Sequence, residues 1–222
     1  MKKFFVLYLC LVAGIASAQD TVTIVHARYT TTFDRQLLYP VKVHWVVNKT
    51  DVCDSHSAHH VNRTDDFRAD PALATYTNLL PDYHSGSAKY DRGHNMDAAD
   101  NSCDLSQMHE CFYFSNMTAQ TKHLNEQTWK MLEERTRDLA NQYGRVEVWC
   151  GSYGNIEKIG RVTVPAFCWK IIKYNNNTVE AYIFPNTSTV NQNPYTFYKK
   201  TVAEVRAKSH LPLPGIPNQL SL

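Results

Sequence analysis

Asp91-Arg92-Gly93-His94, followed in order by Asn116, Asn125 and Glu133, is the stretch around which the rest of this chain can be read. Hydrolysis of a phosphodiester needs a base for the attacking water, a cation against the charge that builds on the phosphoryl oxygens, and fixed positive groups for the phosphate. His94 has the chemistry of the base, Asn125 that of a neutral oxygen ligand for a hard cation, and Arg92 that of a phosphate clamp. A lone His after an Arg-Gly pair is more often structural. Here an amide pair, a helix-borne acid and several arginines lie within ~50 residues of it, which raises the functional reading.

The whole chain sets the bounds. Met1–Ala18 has the form of an export signal: Lys2 and Lys3 open it, Phe4–Ile15 is apolar, and Ala16-Ser17-Ala18 suits cleavage. The apolar stretch is too short to span a bilayer and nothing later resembles a span, so the expectation is an exported protein, periplasmic or secreted. Loss of Lys2 and Lys3 brings the 23 basic residues to parity with the 21 acidic ones. Affinity for nucleic acid must then come from a local basic patch, because neutralised phosphates supply most of it. Residues 19–222 fit a single domain, with no repeat, linker or low-complexity run to divide them. Of the 6 cysteines, Cys10 lies in the apolar leader, and an oxidising compartment leaves two pairs and an odd thiol. Cys150 with Cys168 is the favoured pair, since both fall in predicted strands. Cys103 with Cys111 is a weaker local pair, Cys53 is the expected orphan, and spacing alone does not fix the connectivity.

Periodicity gives a coarse map. Val22–Val47 is rich in Thr, Val, Tyr and Trp with a break near Phe33–Leu38 and Pro40, which predicts two strands. Asn48–Ser87 is polar and punctuated by Pro71, Pro81 and Gly86, so it reads as loop with short helical turns. The aromatic run Cys111–Asn116 suits a buried strand. Leu124–Tyr143 is the one long helix, with Trp129, Leu132, Leu139 and Tyr143 as its core stripe and Gly144 as its stop. Arg145–Cys150, Val162–Tyr174 and Val179–Phe184 predict further strands, and Val202–Lys208 a short helix. The sum is an α+β domain with a largely antiparallel central sheet flanked by helices.

Taken together, these blocks resemble the DNA/RNA non-specific endonucleases, the ββα-metal group of Serratia-type and endonuclease G-like nucleases. The resemblance rests on Asp91-Arg92-Gly93-His94, on Phe112-Tyr113-Phe114-Ser115-Asn116 followed by Gln120, and on Leu124-Asn125 with Trp129 and Leu132-Glu133. Weaker likeness covers Asp70–Leu73, Val148–Gly151, and Val164-Pro165 leading to Trp169-Lys170, so it spans most of the chain. It implies a ββα-metal active-site motif, with His94 as general base and Asn125 as the direct protein ligand of one Mg²⁺, for which Mn²⁺ can substitute. It implies that Glu133 acts on the metal through water, that Arg92 and Arg137 lie near the phosphate, and that Asn116 is a positioning amide. Arg63 corresponds to an upstream phosphate-binding arginine, with Arg68 as a rival. Along a continuous α-helix Glu133 stands ~12 Å from Asn125, which suits an outer-sphere role, and Arg137 lies at i+4 to pair with Glu133. The implied substrates are DNA and RNA held by their backbones. Monomer or homodimer stays open.

The chain departs from the family pattern at Asn95-Met96-Asp97, where an Ala-Pro pair is common, and at Ala119, where Pro usually precedes Gln120. Both changes bear on loop geometry and substrate preference. Cys53, His56, His59 and His60 contain zinc-ligand chemistry but lack a second close pair at finger spacing. Sequons occur at Asn48, Asn62, Asn116, Asn176 and Asn186, and Asn116 stands too near the catalytic His to carry a sugar. Two rival readings keep the same fold: a non-catalytic nucleic-acid-binding module, and a phosphodiesterase for small or lipid-like esters.

Overall fold

The computed structural model describes residues 20–217, so the expected export signal with Cys10 lies outside the described residues. The centre is a seven-stranded antiparallel sheet. In spatial order its strands are β1 (Thr21–Val25), β2 (Tyr29–Asp34), β3 (Tyr39–Asn48), β6 (Arg145–Tyr153), β9 (Phe167–Tyr174), β10 (Thr178–Pro185) and β11 (Lys199–Lys200). Two further pairs stand apart: β4 (Tyr90–His94) with β5 (Met117–Thr121), and β7 (Glu157–Ile159) with β8 (Val162–Val164).

The period-two pattern of the strands decides what covers each face. Val43, Trp45, Val146, Val148 and Ile172 point to one side and pack with Leu124, Trp129, Leu132 and Leu139 of the long helical segment. Their neighbours Trp149, Ile171, Ala181 and Ile183 point to the other, where Val202 and Val205 of a C-terminal helix cover them. Burial of side chains such as Trp129 and Leu132 contributes roughly 1.5–3 kcal/mol each, and both are fully buried. Among the described residues there are five α-helices: α1 (Ala74–Thr77), α2 (Leu80–Gly86), α3 (Leu105–Cys111), α4 (Lys130–Tyr143) and α5 (Val202–Ser209). Gly144 at φ +85° closes α4 and donates to the Ala140 carbonyl, the stop expected of a glycine.

Several sequence expectations need correction. Val22–Val47 forms three strands, because the chain also turns at His26–Arg28 between β1 and β2. Cys111–Asn116 is the end of α3 and a 3₁₀ turn, not a strand; Phe112 and Phe114 are buried as expected while Tyr113 is half-buried, and the strand begins at Met117. Tyr143 is 39% exposed and lies against Tyr174. Thr136 takes the buried place in the stripe and bonds back to the Leu132 carbonyl.

The cysteine pairing differs most. Cys53 bonds to Cys103, while Cys111, Cys150 and Cys168 are buried thiols. Sheet register explains why Cys150 and Cys168 stay apart: Cys150 faces Lys170 and Cys168 faces Ser152. A diagonal offset of this kind holds the side chains roughly 7–8 Å apart, beyond disulfide reach. Cys111 donates its thiol to the Met108 carbonyl inside its own helix. With the Cys53 sulfur in the disulfide, the Cys/His group at 53–60 also loses its thiolate ligand.

Candidate active site

The β4–β5 pair and the helix after it build the site. On β4, Arg92 and His94 are two residues apart and share one face. A Cβ on Gly93 between them would meet the buried Gln120 side chain, Oε1 at 2.1 Å, so any side chain there would displace Gln120. The chain then leaves β5 and enters a π-helical turn, Leu124–Trp129, before α4 begins. The uninterrupted α-helix expected there is therefore wider at its start. Its consequence is rotational: eight α-helical residues would leave Glu133 about 80° around the axis from Asn125. The π-turn winds less per residue and narrows that angle. Asn125 and Glu133 line one cleft of about 390 Å³ together with Arg63, Arg92, His94 and Arg137.

Of the site residues expected from sequence, Arg63, Arg92, His94, Asn125, Glu133 and Arg137 border this cleft, while Asn116 and the rival arginine Arg68 do not. Asn116 is fully buried, and its amide is spent on backbone. Oδ1 accepts from Met96 N at 2.9 Å, and Nδ2 donates to the Met96 and Cys111 carbonyls at 3.0 and 2.8 Å. It clamps the chain just past His94. A sugar has no access there, nor at Asn186, which is buried with its amide bonded to the Ala119 and Pro165 carbonyls.

His94 lies in an aromatic box. Phe112 meets its ring edge-on at 4.8 Å, Phe67 at 5.6 Å, and Trp129 Nε1 donates to its carbonyl at 3.1 Å. Burial, then the Arg63 charge, pulls its pKa down to about 3. The imidazole is therefore neutral at ordinary pH, and its Nε2 has no hydrogen-bond partner among the described residues. The same aromatics seat the arginines: Arg92 lies 4.0 Å above the Phe67 ring and Arg63 4.9 Å above Phe112. Arg63 also donates from Nε to Asp65 at 2.7 Å; Arg68, its rival, pairs with Asp66 over Tyr113 and lies outside the cleft lining. Neither phenylalanine was legible as a site residue. Phe112 stood in a family block without a role, and Phe67 had no signal beyond its place just ahead of Arg68.

Asn125 Nδ2 donates to Asp91 Oδ2 at 3.0 Å. That bond fixes which end of the amide is nitrogen and leaves Oδ1 as the acceptor. Asp91 was quoted in the sequence motif without a role, and holding this amide is the one the structure shows. Arg137 does not pair with Glu133 as i,i+4 spacing suggested. Its Nη1 pairs with Asp97 and, at 3.5 Å, with Asp100. Asp97 lies in the segment that departs from the family pattern, so the departure supplies the arginine's partner. Tertiary geometry overrides the local pair because Asp97 and Asp100 are buried and require a counter-charge. Burial, then Asp97, raises Asp100 to about 6, and Trp45 Nε1 donates to its Oδ2 at 2.9 Å. Burial and then Asp97 also push the Glu133 carboxyl well above the usual range, against Lys170 and Arg137. Lys170 is itself buried, 4.1 Å from the Trp129 ring centre.

The donor chemistry fits a hydrated hard cation. An amide oxygen held by Asp91 and a nearby carboxyl offer oxygen only, and among the described residues no group of three or more His, Cys, Asp or Glu converges on a metal-sized point.

Comparison with known proteins agrees. A nuclease of Nostoc sp. is 32% identical over 163 residues, 67% of this chain and 59% of that protein. Human mitochondrial endonuclease G is 32% identical over 139 residues, 54% and 46% of the two chains. The nuclease of Serratia marcescens is 28% identical over 174 residues, 71% and 65%. The aligned region thus spans roughly half to two thirds of these relatives' lengths. The fold matches EndoG in its solved complex with EndoGI, with TM-score 0.74 over 86% of this chain and 84% of that one at 24% identity. The sequence model of the DNA/RNA non-specific endonucleases matches residues 12–213, and the chain belongs to that family.

Proposed function

We propose that this protein is an exported, Mg²⁺-dependent endonuclease that hydrolyses phosphodiesters of DNA and RNA with little sequence preference. The observation that carries the reading is a neutral, buried imidazole on the same cleft as an amide oxygen held for a cation and three arginines. A neutral imidazole accepts a proton from water, so His94 is the general base. Arg92 and Arg63, seated on aromatic rings, hold the phosphate by its charge, and such contacts contain no base information. Asn125, oriented by Asp91, would hold the Mg²⁺ directly, with Glu133 acting through its water; Mn²⁺ is the closest substitute. When bound, the cation supplies positive charge to the phosphoryl and leaving oxygens. Arg137, tied to Asp97 and Asp100, keeps the floor of the cleft charge-balanced. No covalent enzyme intermediate is required. Export rests on Met1–Ala18 and draws support from the Cys53–Cys103 disulfide, a bond of oxidising compartments.

The test is relaxation of supercoiled plasmid and degradation of RNA, side by side, with Mg²⁺ and with chelator. Cutting of both only with Mg²⁺ is expected. No cutting in any lane would favour a binding module or an esterase of small phosphodiesters.

A further inference from the structure

A second and a third hollow continue the catalytic cleft along β4. One, of about 250 Å³, shares Arg63, Arg92, Asn125 and Glu126 with it and reaches Tyr90. The other, of about 440 Å³, starts at Tyr90 and is bordered by Lys89, Lys122, His123 and Ile156. Nothing in the cleavage chemistry uses this last hollow. Its surface is nevertheless suited to a strand of nucleic acid. Lys89 and Lys122 are exposed on its rim, and Ile156, 51% exposed, offers an apolar face beside them. The acid there, Glu157, is already shared between Lys89 at 3.3 Å and the Tyr90 hydroxyl at 2.6 Å. Among the described residues Lys122 forms no ion pair with a carboxylate, so its charge is available.

We infer that the hollow between Lys89, Lys122 and Ile156 is a distal phosphate-binding track that holds the substrate strand beyond the scissile bond. The inference rests on the nuclease reading above. Charge complementarity and continuity with the catalytic cleft select nucleic acid as its occupant. The reach follows from the strand: Tyr90 to His94 spans ~13 Å at ~3.3 Å per residue. A stacked strand rises ~3.4 Å per nucleotide, so the track engages phosphates about four nucleotides from the cut. Substrates shorter than that on this side lose its contribution.

The experiment uses the full chain with Lys122→Ala, Lys89→Ala and the double variant; both lysines are exposed and outside the catalytic machinery. Binding of a labelled duplex is followed by fluorescence anisotropy in EDTA across a salt series, which needs no cleavage. Loss of the unpaired Lys122 should reduce the slope of log K against log salt by about 0.9, and loss of Lys89, which shares its charge with Glu157, by less; the double variant should show the largest reduction. With Mg²⁺, KM for a long duplex should rise several-fold in the variants, while cleavage of bis(4-nitrophenyl) phosphate, too small to reach the track, should be unchanged. Equal slopes and equal Kd for wild type and double variant would overturn the track. A wild type that binds the duplex with the predicted slope difference but cuts nothing with Mg²⁺ would support the track and refute the nuclease reading instead.

Discussion

Replacing His94 by Asn should make the protein more tolerant of acid even as it removes the proposed base. In the native protein the imidazole is buried and its pKa is pulled to about 3, first by burial and then by Arg63. In the unfolded chain it returns to about 6.5. Between those values the unfolded state binds a proton that the native state refuses, so stability falls as pH drops from about 6.5 towards 3. Above pH 6.5 both states are neutral and the contribution vanishes. At pH 5 the window has been entered by about 1.5 units, worth about 2 kcal/mol at 1.36 kcal/mol per unit. The packing lost against Phe67 and Phe112 is the same at every pH and cancels in the comparison. Urea unfolding of wild type and His94→Asn at pH 7.5 and 5.0, without metal, reads the difference directly. Wild type should lose about 2 kcal/mol more than the variant on acidification. Equal losses in the two proteins would show that His94 titrates normally in the fold and that burial beside Arg63 does not depress its pKa.

Other consequences follow from the same contacts. The double variant Cys53→Ser/Cys103→Ser should lose about 4 kcal/mol in urea unfolding, the loop entropy released when a cross-link of this span is removed; the sequence separation is 50. Arg137→Met leaves Asp97 and Asp100 without their counter-charge and should cost about 3 kcal/mol at pH 8. The loss should shrink below pH 6 as Asp100 takes up its proton, and a pH-independent loss would remove that assignment. Asp91→Asn should weaken Mg²⁺ binding by about 10- to 100-fold, the usual effect of loosening a ligand's hydrogen-bond partner; isothermal titration checks it.

The parts of this molecule that were legible in sequence are those set by local rules. The strands showed in alternation, the long helix in its apolar stripe with Gly144 behind it, and the cleft in the family blocks around His94, Asn125 and Glu133. What stayed hidden depends on how distant segments meet. The π-turn at Leu124–Trp129 leaves no periodic trace, since one widened turn barely disturbs the stripe. Arg137 had an acid at i−4 and took others 37 and 40 residues away, because the segment just past His94 brings Asp97 and Asp100 to its guanidinium. The five cysteines after Cys10 could not announce their pairing. Strand register separated Cys150 from Cys168, and a loop closure over 50 residues chose Cys53 and Cys103.

The central claim is that His94 moves the proton while Asn125 holds the cation. The most direct measurement is single-turnover cleavage of a short duplex by wild type, His94→Ala and Asn125→Ala, with Mg²⁺ affinity measured on each protein. The account predicts that His94→Ala loses roughly 10²-fold or more in rate, the contribution of a general base, with Mg²⁺ binding near wild type. It predicts that Asn125→Ala loses rate together with metal affinity. A His94→Ala protein that cuts at near wild-type rate, or one that has lost Mg²⁺ binding altogether, would contradict it.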